Sequence, residues 1–212
     1  LGAVNEGDAI INYGTGAFFL RDTGPYRVRA PGLLVSAAAQ SGSLRGYFLE
    51  GPVNAAGTAF EWLRDGLGLM RDCRDVDAAF RASKHRVLAL PAIGGLGAPR
   101  WDYKTKTAFF GLEARTTNHD LTRAVAEGIC MLLSDAAAVM SAAGAPVTRG
   151  RVAGGLSRPQ RMMAFQADVL GAVLERKRDV EATALGAAIL AAKAAGCLDP
   201  ERMADARVEK TF

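Results

Sequence analysis

Two glycine-rich turns carry the clearest chemical signal in this sequence. Gly14-Thr15-Gly16 lies between two predicted strands, and Gly154-Gly155 lies between a predicted strand and a predicted helix. Since glycine has no side chain, backbone N–H groups at such turns can approach an anion closely, and the Thr15 hydroxyl adds a donor. The helix start after Gly154-Gly155 would add the positive end of a helix dipole. Taken singly, each turn more commonly serves only to reverse the chain, and neither has the spacing of a P-loop or of a dinucleotide fingerprint.

No other group of side chains forms a catalytic arrangement by spacing alone. The carboxylates stand apart from one another, and Asp65, beside Arg64, is predicted to join a surface ion pair. His85 and His119 are isolated, so no metal site is predicted from them. The cysteines are far apart and form no CxxC pair, which is typical of free thiols in a reducing compartment. They are Cys73, Cys130 and Cys197.

The composition indicates one globular domain and excludes several other classes. The chain has 212 residues, half of them hydrophobic, and a formal charge of +4, which argues against a disordered, collagen-like or disulfide-framework protein. The basic residues are scattered, so nucleic acid is not a predicted partner. No run of eighteen uncharged apolar residues occurs and the first six residues do not resemble a signal peptide, so no membrane span and a cytoplasmic location are predicted.

Hydrophobic periodicity predicts strands first and then helices that alternate with strands. In the first half, a helix is predicted over 53–67 and a shorter one over 75–82, with a loop over 94–102. The predicted strands of this half cover 9–13, 17–21, 35–38, 46–50, 87–90 and 109–112, and the strand over 87–90 is expected to be buried.

The second half contains the clearest helix, predicted over 120–143. Thr117 or Asn118 can cap its start, and Gly144 suits the left-handed position after its end. Pro159 stands near the first turn of the next helix, where its missing N–H costs little. The remaining predicted elements are strands over 151–153 and 172–176 and helices over 160–170 and 182–195. This order is typical of a mixed α/β domain.

Five segments, in order, match the motifs of one known protein family. The first is YGTGAF at 13–18. The others are LEG with AGTAFEWLRD at 49–65, GGLGAPRWD at 94–102, the region 111–128, and GGLS, FQAD and TALGAA within 154–188. Together they resemble the FGGY family of carbohydrate kinases, and within it the glycerol kinases most, whose YGTG-small-F segment is matched by 13–18. Ordered matches over nearly the whole chain are far more specific than any single motif.

This resemblance implies an actin-like ATPase domain of ribonuclease H-like type, with a mixed sheet flanked by helices. Residues 1–212 would form the C-terminal, nucleotide-binding domain of the kinase, without the N-terminal substrate domain and the closing C-terminal helix. ATP and Mg²⁺ are the implied cofactors, with Mg²⁺ held mostly by the phosphates and by residues outside this chain. The catalytic base is expected to be an Asp just upstream of Leu1, so no catalytic residue is assigned within the chain.

The resemblance also implies individual binding residues. Phe18 would pack on the carbon chain of the substrate. The nucleotide site would contain Gly14, Thr15, Gly57, Glu61, Gly155 and Pro159, with Gly14 and Thr15 facing the β- or γ-phosphate. Two of these positions depart from the family pattern, because Glu61 replaces a Gln and Pro159 replaces an Asn.

The expected function is therefore the nucleotide-binding half of an ATP-dependent glycerol kinase, inactive as an isolated domain. Its expected partners are the N-terminal domain of the same protein, the nucleotide and a small polyol, and a homo-oligomer is left open. One alternative is a kinase for a ketose such as xylulose or ribulose. Another is a non-catalytic, actin-like nucleotide-binding module, which Glu61 and Pro159 would favour.

Overall fold

A computed structural model describes residues 8–38, 46–177, 182–196 and 208–212 of the chain. Within these residues, a mixed sheet of seven strands is the centre of the fold. The strands are β1 (Ala9–Tyr13), β2 (Ala17–Asp22), β3 (Leu34–Ala37), β4 (Tyr47–Val53), β7 (Arg149–Ala153), β8 (Val173–Lys177) and β9 (Val208–Thr211). A separate pair is formed by β5 (Leu88–Leu90) and β6 (Ala108–Phe110).

The strand order is β3-β4-β2-β1-β7-β8-β9. The strands from β3 to β1 pair antiparallel, whereas β7 pairs parallel to both β1 and β8, and β9 returns antiparallel to β8. In the parallel pair of β1 and β7, Asn12 lies opposite Ala153. The two strands therefore end at the same edge of the sheet, and the glycine turns that follow them begin side by side.

Five α-helices lie within the described residues. α1 (Gly57–Glu61) continues into a π-helical turn (Trp62–Gly66), and the others are α2 (Asp75–Ala82), α3 (Asn118–Ala142), α4 (Gln160–Leu170) and α5 (Ala182–Ala194). α3 packs against β2 and β4 and also against α2 and α4. It lies so near the sheet that a Cβ on Gly51 of β4 would come within 2.5 Å of the Ala136 Cβ. Glycine at position 51 thus permits the close packing of helix on sheet that forms the core.

The start of α3 is fixed by Thr117 and Asp120. The Thr117 hydroxyl accepts from the Asp120 amide, and the Asp120 carboxylate accepts from the Thr117 amide, which makes a capping box. The buried carboxylate also accepts from the Ser83 hydroxyl and the amides of Lys84 and His85. Burial alone would raise the pKa of Asp120, but these hydrogen bonds outweigh it and hold the pKa well below its usual value.

α3 is long and apolar enough, by length and composition, to cross a membrane, and it is the one helix within the described residues that passes this test. Half of its most apolar 18-residue window is buried inside the protein. Ile129, Leu133 and Met140 on this helix are fully buried against the sheet and neighbouring helices. A core helix of a soluble protein has these same properties, so the length and composition of α3 do not by themselves indicate a membrane span.

Most predicted elements are confirmed to within a few residues, but two expectations were wrong and one strand was missed. The helix predicted from Val53 begins only at Gly57, because β4 continues through Pro52 to Val53. Proline is tolerated there since β3 covers β4 only up to Glu50. The strand expected to be buried over 87–90 lies outside the main sheet, with Leu88 more than half exposed. Finally, β9 was not predicted at all.

We predict that Asp120→Asn destabilises the protein in a pH-dependent way. The pKa of Asp120 is lowered in the folded state, so its stabilisation is complete above the unfolded-state pKa of about 4 and is lost as the pH falls toward the folded value. Near pH 7, the variant should lose about 2–3 kcal/mol of unfolding free energy, because an amide cannot accept all these hydrogen bonds. Below about pH 4 the difference from the wild type should narrow.

Urea unfolding between pH 7 and pH 3 would measure this difference. Asp168→Asn is a suitable control, because Asp168 is an exposed carboxylate on α4 and its loss should matter little at any pH. A difference between wild type and Asp120→Asn that stays constant over this pH range would contradict the prediction.

Candidate functional site

The turn after β1 is fastened to the start of α1. The Gly57 amide donates to the Gly14 carbonyl, and the Ala56 and Thr58 amides donate to the Thr15 carbonyl, each at 3.0 Å. A Cβ on Gly57 would come within 2.6 Å of the Gly14 oxygen. Glycine at position 57 therefore lets the start of α1 lie directly against the turn. The amides at the start of α1 already donate to carbonyl groups of the turn.

The turn after β7 lies against the end of β1. Gly154 has a left-handed φ of +85°, and a Cβ there would come within 2.0 Å of the Tyr13 carbonyl oxygen. Both the backbone conformation and the space at this position therefore require glycine. Gly155 differs, because a Cβ on it would meet no atom within 4 Å. Gly154 thus brings the two turns together, while Gly155 presents an open backbone surface.

A cavity of about 240 Å³ lies where the two turns meet α1 and the segment before α2. Five predicted nucleotide-binding residues line it together: Gly14, Thr15, Gly57, Glu61 and Gly155. Its other lining residues are Tyr13, Phe60, Arg64, Met70, Asp72, Cys73 and Leu156. The structure therefore brings together predicted residues from three distant parts of the sequence, although their role in binding stays a prediction.

The two remaining predicted site residues do not line this cavity. Pro159 is buried and occupies the N-cap position of α4. Phe18 lies on β2 opposite Pro52, with 43% of its surface exposed. A nucleotide contact for Pro159 and a substrate contact for Phe18 both stay predictions.

Thr15 presents two hydrogen-bond donors to this site. It is exposed, and neither its amide nor its hydroxyl donates to an acceptor within the described residues. Its carbonyl, in contrast, accepts from Ala56, Thr58 and the Thr58 hydroxyl. Thr15 is thus held in place by the hydrogen bonds to its carbonyl, while its amide and hydroxyl stay available at the cavity. These two donors suit the binding of an anionic oxygen.

The charged side chains at the cavity are mostly paired. Arg64 forms the predicted surface ion pair with Asp65 at 2.7 Å, which confirms that prediction. Asp72 pairs with Arg74 at 2.6 Å, and hydrogen bonds from the Arg74 side chain and amide lower the pKa of Asp72. A general base needs a pKa near the working pH, so Asp72 is poorly suited to that role. Within the described residues, no three His, Cys, Asp or Glu side chains form a metal-binding group.

The start of α4 is not open to a ligand in the way the sequence predicted. The helix was expected to direct unpaired amides toward a phosphate. A 3₁₀ turn (Gly155–Ser157) instead separates Gly154 from the helix, and the amides of Gln160 and Arg161 donate to the Asp77 carboxylate at 3.0 and 2.8 Å. The anion at this helix terminus is therefore a side chain of the protein itself.

Sequence analysis did not identify several residues at the cavity. Cys73 is half-buried there, and no spacing pattern distinguishes it from the other cysteines. Leu156 could have been inferred from its position next to Gly155. Phe60 and Met70 differ from other residues in the sequence only in being apolar. Phe60 lies in α1, whereas Met70 follows α1 and reaches the cavity through the fold of the segment before α2.

A second and larger cavity, of about 890 Å³, lies between α3 and the segment that leads into β5. It shares no lining residue with the cavity at the glycine turns. Its charged residues include the ion pairs Arg123–Glu127 and Arg100–Asp135, and Asp120 there is saturated by the hydrogen bonds at the start of α3. None of the predicted site residues lies there, so its greater volume does not make it the better candidate.

Comparison with known proteins identifies a family match over most of the chain. Residues 9–195 match the C-terminal domain of the FGGY family of carbohydrate kinases. A glycerol kinase from Myxococcus xanthus is 40% identical over 97% of this chain and 43% of its own length. A glycerol kinase from Trichlorobacter lovleyi is 42% identical over 87% of the chain and 38% of its own length. The chain thus spans about two fifths of the length of these relatives.

Solved structures agree with the sequence matches. The crystal structure of Plasmodium falciparum glycerol kinase with ADP has a TM-score of 0.87 and 28% identity, covering 98% of this chain and 43% of that one. A xylulose kinase from Brucella ovis has a TM-score of 0.84 and 26% identity, covering 100% of this chain and 44% of that one. These neighbours confirm the predicted α/β class, the mixed sheet flanked by helices and the actin-like ATPase fold.

We predict different effects on stability for alanine at two adjacent glycines, a large loss at position 154 and almost none at position 155. Gly154→Ala should lower the unfolding free energy by at least about 2 kcal/mol, because the new methyl group meets the Tyr13 carbonyl and the backbone is left-handed. Gly155→Ala should leave stability within about 0.5 kcal/mol of the wild type, because its Cβ enters open space. Urea denaturation of both variants would measure the contrast, and equal losses would contradict this description of the two turns.

Proposed function

Because this chain belongs to the FGGY family of carbohydrate kinases, we propose that it forms the nucleotide-binding half of an ATP-dependent glycerol kinase. In the complete protein, ATP and glycerol would yield ADP and glycerol 3-phosphate. Residues 1–212 would be the C-terminal domain, and its main partner would be the N-terminal domain of the same protein. The observation that carries this proposal is that Gly14, Thr15, Gly57 and Gly155 line one cavity in a chain about 40% identical to glycerol kinases.

The proposed nucleotide site divides into a polar and an apolar part. The amide and hydroxyl of Thr15 would donate to oxygens of the β- or γ-phosphate, while Gly14 and Gly155 let the backbone come close. The side chains of Met70 and Leu156 would line the less polar end of the nucleotide. Gly57 would contribute mainly by holding the turn in place, since its own amide is used by Gly14.

The described residues that line the cavity do not form a Mg²⁺ site by themselves. The carboxylates at the cavity are Glu61 and Asp72, and Asp72 is already paired with Arg74. We therefore expect Mg²⁺ to arrive on the phosphates, where it would neutralise charge during phosphoryl transfer. Glu61 adds a negative charge next to a polyanionic ligand, so it is not expected to strengthen nucleotide binding unless a cation lies between them.

The chain alone should bind nucleotide but transfer no phosphoryl group. Phosphoryl transfer depends on positioning the two substrates and neutralising charge within a closed site. The cavity of about 240 Å³ is smaller than the roughly 300–1,000 Å³ typical of small-molecule sites, so it would hold only part of the nucleotide. The resemblance assigns the catalytic base to an Asp upstream of Leu1, and this assignment stays part of the proposal.

Two points about the wider context follow from the proposal. We propose a cytoplasmic location, since α3 packs in the core with half of its apolar window buried.

A ketose substrate is the second candidate, because the fold also matches a xylulose kinase over the whole chain. The names of the matched sequence relatives favour glycerol, and they favour an enzyme over a non-catalytic module. A panel of polyols and ketoses assayed with the complete protein would separate these substrates.

We predict that the purified chain binds Mg·ADP and that Gly155→Ala weakens this binding about tenfold or more, because the methyl group would occupy space needed by the ligand. Isothermal titration calorimetry would measure the dissociation constants. The same preparation, given ATP and glycerol, should form no glycerol 3-phosphate.

Gly186→Ala on α5 is the matched control for that experiment. Its Cβ also meets no atom within 4 Å, but Gly186 does not line the cavity. Unchanged ADP affinity in Gly155→Ala, or an equal loss in Gly186→Ala, would remove the support for binding at the glycine turns.

We further predict that nucleotide shields Cys73 from thiol reagents. Cys73 lines the cavity and is half-buried, whereas Cys130 is fully buried and burial raises the pKa of its thiol. In a Cys197→Ser background, saturating ADP should slow maleimide labelling about tenfold or more, in proportion to the occupied fraction of the site. Adenosine, which has no phosphates, serves as the comparison ligand, and labelling at an unchanged rate with saturating ADP would count against this location.

A further inference from the structure

The segment from Gly154 to Arg161 forms one wall of the proposed nucleotide site. It leaves β7, makes the 3₁₀ turn and enters α4, and Gly155 and Leu156 line the cavity. Within the turn, the Ser157 hydroxyl and amide both donate to the Gly154 carbonyl, at 2.7 and 3.0 Å. These local bonds shape the turn but do not fix its distance from the opposite wall.

Asp77 joins this wall to α2. Its two carboxylate oxygens accept separately from the amides of Gln160 and Arg161, which lie 83 and 84 residues later in the chain. The N-cap residue of α4 is Pro159, which has no side-chain cap hydrogen bond. Asp77, which belongs to α2, therefore accepts hydrogen bonds from the first amides of α4, as an N-cap side chain normally does within its own helix.

α2 is directly continuous with the opposite wall of the cavity. Met70, Asp72 and Cys73, immediately before α2, all line the cavity, whereas Asp77 itself does not. A single carboxylate thus connects the segment before α2 to the turn at Gly155 without entering the site. This bidentate contact is therefore a direct link between the two walls of the cavity.

Arg176 holds the same turn from the sheet side. This buried residue of β8 donates from Nη1 to the carbonyls of Ser157 and Arg158 at 2.9 and 2.8 Å. Its Nε donates to Glu209 of β9 at 3.1 Å, which holds the guanidinium in place. The turn is consequently fixed to the sheet by Arg176 and to α2 by Asp77.

We propose that Asp77 is a positioning residue for nucleotide binding, which sets the distance between the Gly155 turn and the Met70–Cys73 wall. This inference rests on the proposed function of the same cavity. It assigns to Asp77 a role that the nucleotide-contacting residues do not have, since Asp77 acts only through the backbone amides of Gln160 and Arg161.

Other contacts should keep the domain folded when Asp77 is replaced. α2 and α4 also pack through Phe80 and Phe165, whose ring centroids are 6.3 Å apart. Arg123 of α3 lies over the Phe80 ring at 5.5 Å. Loss of the Asp77 carboxylate should therefore release the turn from α2 while the helices stay packed.

The test measures ADP affinity of the 212-residue protein by calorimetry, with Asp77→Ala and Asp77→Asn. The alanine variant should bind about tenfold more weakly, the size expected when a helix cap is lost, and asparagine should lie between it and the wild type because it keeps one acceptor oxygen. Asp77→Asn also serves if the alanine variant does not fold. Thr117→Ala is the stability control, because it removes the cap of α3 away from this cavity.

The outcomes separate the two proposals. If the wild type does not bind ADP, the proposed function fails, and this inference with it. If the wild type binds and both Asp77 variants bind equally well, only the positioning role is overturned. If Thr117→Ala lowers both the melting temperature and the ADP affinity as much as Asp77→Ala does, the effect is one of general stability and the positioning role is again overturned. Weaker binding confined to the Asp77 variants supports it.

Discussion

The contact between the Gly154 and Tyr13 backbones determines the geometry of the site. β1 and β7 are parallel neighbours, so their ends meet at one edge of the sheet, but the two turns can lie against each other only if position 154 has no side chain. Tyr13 is also anchored at its other end, where its hydroxyl donates to the Gln166 side chain of α4 at 2.9 Å. Gln166 in turn donates to the Cys130 carbonyl of α3. One tyrosine thus connects the turn, the sheet and both core helices.

The structure changes the physical basis expected for anion binding. The sequence predicts that the helix following Gly154-Gly155 provides free amides and a dipole. In the protein, the Asp77 carboxylate takes the amides at the start of α4, and the turn carbonyls take those at the start of α1. The Thr15 amide and hydroxyl stay available at the cavity, so the proposed phosphate contacts depend on the turns rather than on helix termini. The exact placement of the glycine turns therefore matters more for phosphate binding. The field of a helix dipole extends over the whole first turn of the helix, whereas a hydrogen bond requires a donor–acceptor distance near 3 Å.

Local patterns were sufficient to predict most elements, and tertiary contacts explain where they were not. α2 and β1 have the predicted bounds, and α3 has the predicted cap and the predicted glycine after its end. The early start of the predicted helix at Val53 arose because Gly51-Pro52 suggests a turn, whereas strand pairing with β2 keeps it extended. Spacing alone could not predict that the two glycine turns lie together, because β1 and β7, which pair in the sheet, are some 140 residues apart in the sequence. That expectation came from the family resemblance. The contact of Asp77 with α4 has no local pattern and follows only from the packing of α2 on α4.

The small size and openness of the cavity are consistent with a site completed by another surface. Its charged side chains are already largely neutralised by ion pairs within the domain. Water must be excluded for electrostatic stabilisation of a transferring phosphoryl group to be strong, and an open half-site of about 240 Å³ cannot do this. Because the chain spans 43% of a related glycerol kinase, the remaining length of such a protein is large enough to supply the covering surface. On the proposed function, this domain would therefore contribute a rigid, preformed phosphate-binding surface, and domain closure would contribute the exclusion of water.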